Sequence, residues 1–359
     1  MVIAKSHARG RGHLTRTLNA VHPFRRAGRR TNLALLVLLM LTLVSGVAAF
    51  AVGSPGPARI VVMMHGVAGL AVVALAPWKS VVARRGWWRR RPGRGAGLVL
   101  AVLVAIVLGS GLLHTLGGFR QVLGLTPMQL HVGGAVMVLA VLLAHLKLHP
   151  TRPRRTDVSR RAALGGLTLA ASAGAAYTVL ESTGALLRLP AATRRQTGSH
   201  QLGTDAAAAM PITQWFTDAV PRIDASAWRV RVSAGSVSRE LSADKLAGAD
   251  TVRAVLDCTN GWYSEQTWRG TRLDRLLPQD AGGSVLVTSV TGYRRRLPAA
   301  DASGLLLATH VAGAPLSAGH GAPVRLVAPG RRGFWWVKWV TAVELSDEPW
   351  WLQSPFPLQ

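Results

Sequence analysis

The stretch AGLVLAVLVAIVLGSGLLHTL, residues 96–116, holds no acid, lysine or arginine in 21 positions. At 1.5 Å per residue, a helix of that length spans about 30 Å, the thickness of the hydrocarbon core of a bilayer. It shows no polar face at the 3.6-residue period that a helix of a soluble bundle needs. The run therefore reads as a membrane-spanning helix. Four more runs repeat the pattern at 33–51, 60–77, 128–148 and 162–180, the last one richer in Ala, Gly and Ser. The chain of 359 residues is 49% apolar yet carries a formal net charge of +26, and the two properties are segregated along it.

The charge sets an orientation. Residues 1–32 carry eight Lys or Arg, the loop after the second run seven, and the loop after the fourth run six. The two alternate loops hold only Arg59 and Arg120. The positive-inside rule places the N-terminus in the cytoplasm and, after five spans of the cytoplasmic membrane, everything beyond about residue 181 outside it. Basic clusters that flank apolar runs are accounted for by the membrane, so nucleic acid is not an expected partner. The fifth run opens on Ser159-Arg160-Arg161 and is only mildly apolar. That entry resembles a twin-arginine export signal. The same two arginines also satisfy the positive-inside pattern, and both readings stand. Export by that route moves folded proteins, which implies an outer domain that acquires a cofactor first.

Four segments follow: a basic N-terminus (1–32), a transmembrane bundle (33–183), a Thr-, Gly- and Ala-rich linker (184–209) and an outer domain (210–359). The outer domain is long enough to bury its own core. Strand patterns at 228–232, 236–241, 283–290, 323–327 and 337–345, with a short helix at 272–277, predict a mixed α/β fold.

The chain has one cysteine, in LDCTNGWYSEQTWRG, residues 256–270. A lone thiol makes no intramolecular disulfide and cannot build a zinc site by itself. It is either a small buried hydrophobe or a thiolate ligand to a metal held mainly by other groups. Further along stands HGAPVRLVAPGRRGFWWVKWVTAVEL, residues 320–345, which gathers His320, Arg325, Arg331, Arg332 and Lys338 around a strand punctuated by Gly and Pro. Such a set suits an anionic, phosphate-bearing ligand, with arginine making planar two-point contacts. A solvated basic strand is the plainer account. Arg294, Arg295 and Arg296 likewise read either as an anion attractor or as a solvated strand or turn.

Together, Cys258-Thr-Asn-Gly-Trp with Trp268-Arg-Gly270, and His320-Gly-Ala-Pro-Val-Arg325 with Gly333 and Lys338, resemble the sulfite oxidase family of molybdenum enzymes. The resemblance runs from about residue 210 to 344. It implies that Cys258 is a molybdenum ligand and the catalytic residue of the site, with a molybdopterin supplying the other sulfurs. It also implies that His320, Arg325 and Lys338 bind the pterin and its phosphate. A coordinating thiol is deprotonated outright, and soft sulfur suits a redox metal. The chain ends 21 residues after Lys338, so a short core is expected, similar to the bacterial periplasmic methionine-sulfoxide reductases and without the immunoglobulin-like domain of eukaryotic sulfite oxidases. The substrate class stays open between a sulfoxide, small or on a protein, and a sulfite-type anion.

The apolar runs carry His65, His114, His131 and His145. Ionisable residues at membrane depth are functional candidates by default. His131 and His145 are 14 residues apart, about 21 Å along a helix, a spacing similar to that of b-type cytochromes. The topology puts His65, His114 and His131 at one depth. One haem b held by His65 and His131 is the expectation, with His114 as the alternative ligand. His145 has no facing histidine, since His149 lies at the loop edge. Interfacial histidines bonded to water or backbone are the competing account. Two functions follow: an anchored molybdenum oxidoreductase exchanging electrons with a membrane or soluble partner, or a non-catalytic anchored module that keeps the fold for binding.

Overall fold

The computed structural model describes residues 27–88, 94–121, 124–213, 219–278 and 283–354. The basic residues counted above within 1–26 and 89–91 lie outside these. Five helices come first: α1 (Arg29–Ala51), α2 (Pro55–Trp88), α3 (Arg94–Gly117), α4 (Pro127–Leu148) and α5 (Arg160–Leu186). All five are long and apolar enough to cross a membrane. Each contains one of the five runs. The largest difference is in α2, which continues past Pro77 to Trp88 instead of stopping there. Proline removes only the one backbone N–H that would bond four residues back, and the helix runs through it.

The chain divides into two compact units. One comprises the described residues of Met1–Val44, Met64–Gly109 and His131–Leu180. The other comprises those of Ser45–Met63, Ser110–Leu130 and Glu181–Gln359. In the first unit, small residues let helices approach closely. A Cβ on Gly66 of α2 would lie 2.7 Å from the Tyr177 ring of α5, and one on Gly134 of α4 would lie 2.8 Å from Val107 of α3. Such small-residue contacts are how helices associate where lipid removes the hydrophobic drive. At one end Arg29 meets Asp157 at 2.6 Å, and Lys79 donates to the Asn32 side chain at 3.1 Å.

The second unit is built on two sheets. The first has six strands: β1 (His200–Gln201), β4 (Asp250–Cys258), β5 (Trp262–Arg272), β8 (Leu306–Val311), β9 (Ala314–Pro315) and β10 (Arg325–Val327). β4 and β5 form an antiparallel hairpin from Asp250 opposite Gly270 to Cys258 opposite Trp262. β8 joins the far half of β5, and β1 joins its start in parallel. The second sheet runs β3 (Val237–Ser242), β2 (Arg229–Ala234), β11 (Val340–Ser346), β6 (Ser284–Ser289) and β7 (Arg294–Pro298). Helical turns between strands, including α6 (Ala243–Leu246), complete the α/β fold. Leu306, Leu307, Val324, Leu326 and Val340 are fully buried in the core.

The stretch expected as a connector, 184–209, begins within α5 and then folds into this unit. It forms a 3-10 turn at Pro190–Thr193 and strand β1, whose His200 N–H donates to the Gly261 carbonyl at 3.0 Å. Small residues suit such a segment because they let backbone approach backbone.

Candidate functional site

Cys258 ends β4, and the tight turn Thr259–Gly261 carries the chain into β5. The Gly261 N–H closes the turn onto the Cys258 carbonyl at 3.1 Å. Gly261 has φ +85°, and a Cβ there would lie 2.4 Å from the His114 imidazole, so both backbone and space demand glycine. The Asn260 N–H points at the Cys258 sulfur at 3.5 Å. Cys258 lines a cavity of about 150 Å³ together with Thr259, Trp262, His320, Arg325 and Lys338. Burial pushes the thiol pKa up, opposed by the Asn260 N–H and by the charges of Arg332 and Lys338.

The turn Ala318–His320 presents the imidazole of His320, whose Nε2 donates to the Met210 carbonyl at 3.1 Å. Nδ1 therefore accepts from the Ser317 hydroxyl at 2.8 Å. Burial and the neighbouring Arg325 hold its pKa below the ordinary histidine value, consistent with that neutral tautomer. Gly321 follows at φ +105°, with Arg325 and Lys338 side chains packed at 3.0–3.2 Å from where its Cβ would be.

Arg325 is 1% exposed and opens β10. It lies 4.9 Å from the Trp268 ring and 5.5 Å from the Trp336 ring, two rings that meet edge to face, and aromatic faces suit a delocalised cation. Nη1 donates to the His320 carbonyl at 3.0 Å, while Nε is buried with no hydrogen-bond partner. Desolvation lowers its pKa to about 9, so it is still a cation at neutral pH. Lys338 donates to the carbonyls of Thr213 and Gly319 at 2.9 and 2.7 Å. The structure thus brings Cys258, His320, Arg325 and Lys338 to one cavity.

The sequence reading missed the partner set behind the cysteine. Asp257 is buried and accepts from Thr197 at 2.8 Å, from Ser199 at 2.7 Å and from Arg332. Arg195 adds an ion pair at 3.4 Å. Asp257 and Arg332 are also joined by a parallel backbone bridge. The signal was an acid at the end of an otherwise apolar strand, AVLDC. Of the arginine triplet, Arg294 is exposed on strand β7, as the solvated-strand reading expects, and the other two depart from it. Arg295 and Arg296 are buried in β7, the first bonded to the Tyr293 hydroxyl and Ser354 carbonyl, both at 2.8 Å, the second paired with Glu348.

The histidines separate. In the first unit, His65 and His131 have ring centroids 5.7 Å apart and planes at 85°. His65 Nδ1 donates to the Thr42 carbonyl at 3.0 Å, and His131 Nδ1 to the Val107 carbonyl at 2.8 Å. His145 faces His149, with centroids 4.8 Å apart. His114 belongs to the second unit instead. It is buried, with Nε2 donating to the Gly198 carbonyl at 3.1 Å, and it meets His200 edge to face at 4.8 Å.

Residues 217–353 match the family model described as the oxidoreductase molybdopterin binding domain. That match, within the sheet-built unit, supports a molybdopterin-binding oxidoreductase domain and a molybdenum cofactor. Among solved structures the chain matches the sulfane dehydrogenase SoxCD from Paracoccus pantotrophus at 21% identity and a TM-score of 0.34. The match covers 36% of this chain and 40% of that one, so the chain spans about two fifths of its length. No curated protein matches the chain.

Proposed function

We propose that the protein is a membrane-anchored molybdenum oxidoreductase that transfers an oxygen atom to or from a sulfur-centred substrate, either reducing a sulfoxide or oxidising a sulfite-type anion. The orientation follows the charge pattern: N-terminus in the cytoplasm, catalytic domain outside the cytoplasmic membrane, with Arg160 and Arg161 serving export. Arg325 is the single observation that supports the reading most: a desolvated cation at the cavity, its Nε unpartnered, beside the chain's only thiol. Among the described residues no carboxylate pairs with it; a buried charge without a counter-ion is costly, and an anionic group arriving at the cavity would relieve it. Cys258 would hold the metal, and His320, Arg325 and Lys338 the pterin and its phosphate. When bound, the molybdenum cofactor supplies the two-electron exchange that oxygen-atom transfer needs.

The chain's own residues then have distinct roles. The Asn260 N–H stabilises a thiolate at Cys258. His320, neutral and with both ring nitrogens held by Met210 and Ser317, lines the cavity in a fixed orientation without adding charge. Trp268 and Trp336 pack beside the Arg325 guanidinium and shield part of it from water.

The helical unit supports an electron-exchange role. Two imidazoles on α2 and α4 stand with crossed planes, and each gives its Nδ1 proton to a backbone carbonyl. That bond fixes the tautomer and ring orientation of a ligating histidine. His65 and His131 would hold a haem b, which supplies one-electron transfer to or from a membrane or soluble partner.

The test is metal analysis and activity of detergent-purified protein. About one molybdenum per chain is expected, with turnover of a small sulfoxide under reduced viologen or of sulfite under ferricyanide. Cys258→Ser should remain folded and drop to background in both assays. Full activity in that variant would overturn the assignment.

A further inference from the structure

The turn that follows Cys258 is held from outside its own sheet. Thr126, at the start of α4, donates its hydroxyl proton to the Asn260 side-chain oxygen at 3.1 Å. The same hydroxyl accepts from the Gln129 N–H at 3.1 Å, and the Gln129 side chain accepts from the Thr126 N–H at 2.8 Å, so a helix cap fixes Thr126 in place. Asn260 in turn directs its backbone N–H at the Cys258 sulfur. On the neighbouring residue, the His114 ring fills the space where Gly261 would carry a Cβ. His114 is itself fixed: its Nε2 donates to Gly198, and its carbonyl accepts from His200 Nε2 at 2.8 Å. Thr126 and His114 are both buried, 2% and 4% exposed. The sheet domain thus takes two of its catalytic-loop contacts from the ends of apolar helices, all inside one compact unit.

We propose that Thr126 and His114 are positioning residues of the molybdenum site. Thr126 sets the direction of the Asn260 N–H toward the metal-binding sulfur, and His114 acts as a wedge that keeps the turn at Gly261 closed. This inference rests on the reading of Cys258 as the metal ligand. Neither residue touches substrate; both act through the turn.

The single cysteine makes the loop's order directly readable, because alkylation of the full-length chain reports one site. In full-length protein produced without molybdenum, Thr126→Val and Asn260→Ala should each raise the rate of Cys258 alkylation by iodoacetamide. Loss of one hydrogen bond corresponds to about a three- to tenfold rise in the open population. The double variant should react no faster than either single one, because both remove the same bond. Thr126→Ser, which keeps the hydroxyl and the cap, should restore the wild-type rate. His114→Ala should also speed alkylation, and His114→Phe, which keeps a ring against Gly261, should not. In molybdenum-loaded protein, Thr126→Val should shift the paramagnetic resonance signal of the half-reduced metal. Unchanged alkylation in both single variants, or rates that multiply in the double variant, would overturn the proposal. A wild type with no molybdenum signal would overturn the parent reading instead, leaving the alkylation cycle to decide the clamp.

Discussion

The helices and the sheets of this protein bury apolar side chains by opposite rules. In the sheets, Leu306 and Val324 are fully enclosed, and charged groups that go inside bring partners, as Asp257 does with Arg332. In the helices, Val44, Val136 and Leu167 stand 63–66% exposed. The imidazole of His131 there bonds to the Val107 backbone carbonyl. The same residue types serve both regions because the surroundings differ: the sheets exclude water by packing, and the helices present apolar surface to lipid. A histidine among lipid-facing valines is therefore costly to keep, whereas one in the sheets is ordinary.

The strongest way to break this comparison is through those helix histidines. If His65 and His131 ligate iron, the purified protein absorbs as a b-type cytochrome. His65→Ala or His131→Ala then loses the whole spectrum, while His145→Ala keeps most of it. An unchanged spectrum in the His131 variant would reduce the pair to packing. Next in size is Asp257→Asn, which leaves Arg332 buried without a counter-charge. Stranding a buried partner costs about 3–5 kcal/mol, so the sheet domain should melt far earlier in thermal unfolding of the full-length protein. A third measurement sharpens the contrast itself. Leu306→Ala should destabilise the sheet domain by about 2–5 kcal/mol through the cavity it leaves. Val136→Ala, of comparable chemistry on a lipid-facing position, should stay within about 0.5 kcal/mol. Equal costs at the two sites would mean that Val136 is packed against protein.

The five helices were legible because an unbroken apolar run of about 20 residues has few other uses. The cavity residues were legible as types: Cys258, His320, Arg325 and Lys338 do converge. The strands around them were harder to read. β8 is apolar on both faces, and a short continuous apolar run does not reveal its period. β4 and β5 were missed because several inward positions of β5 are not apolar: Ser264 and Gln266 are fully buried there, so burial alternates where hydrophobicity does not. Asp257 and Arg332 are 75 positions apart, a pairing that only the fold discloses. His114 was grouped by depth with His65 and His131. Depth says nothing about neighbours, and its neighbours turned out to be Gly198 and Gly261.

The pair of guanidiniums on one carboxylate has a consequence for how the enzyme matures. Arg332 and Arg195 share Asp257, so that cluster carries one positive charge too many, and Arg325 adds another that no acid among the described residues pairs with. On the reading proposed above, a domain without its cofactor is one anion short, and binding that anion would remove a self-repulsion, so that loading would double as inspection.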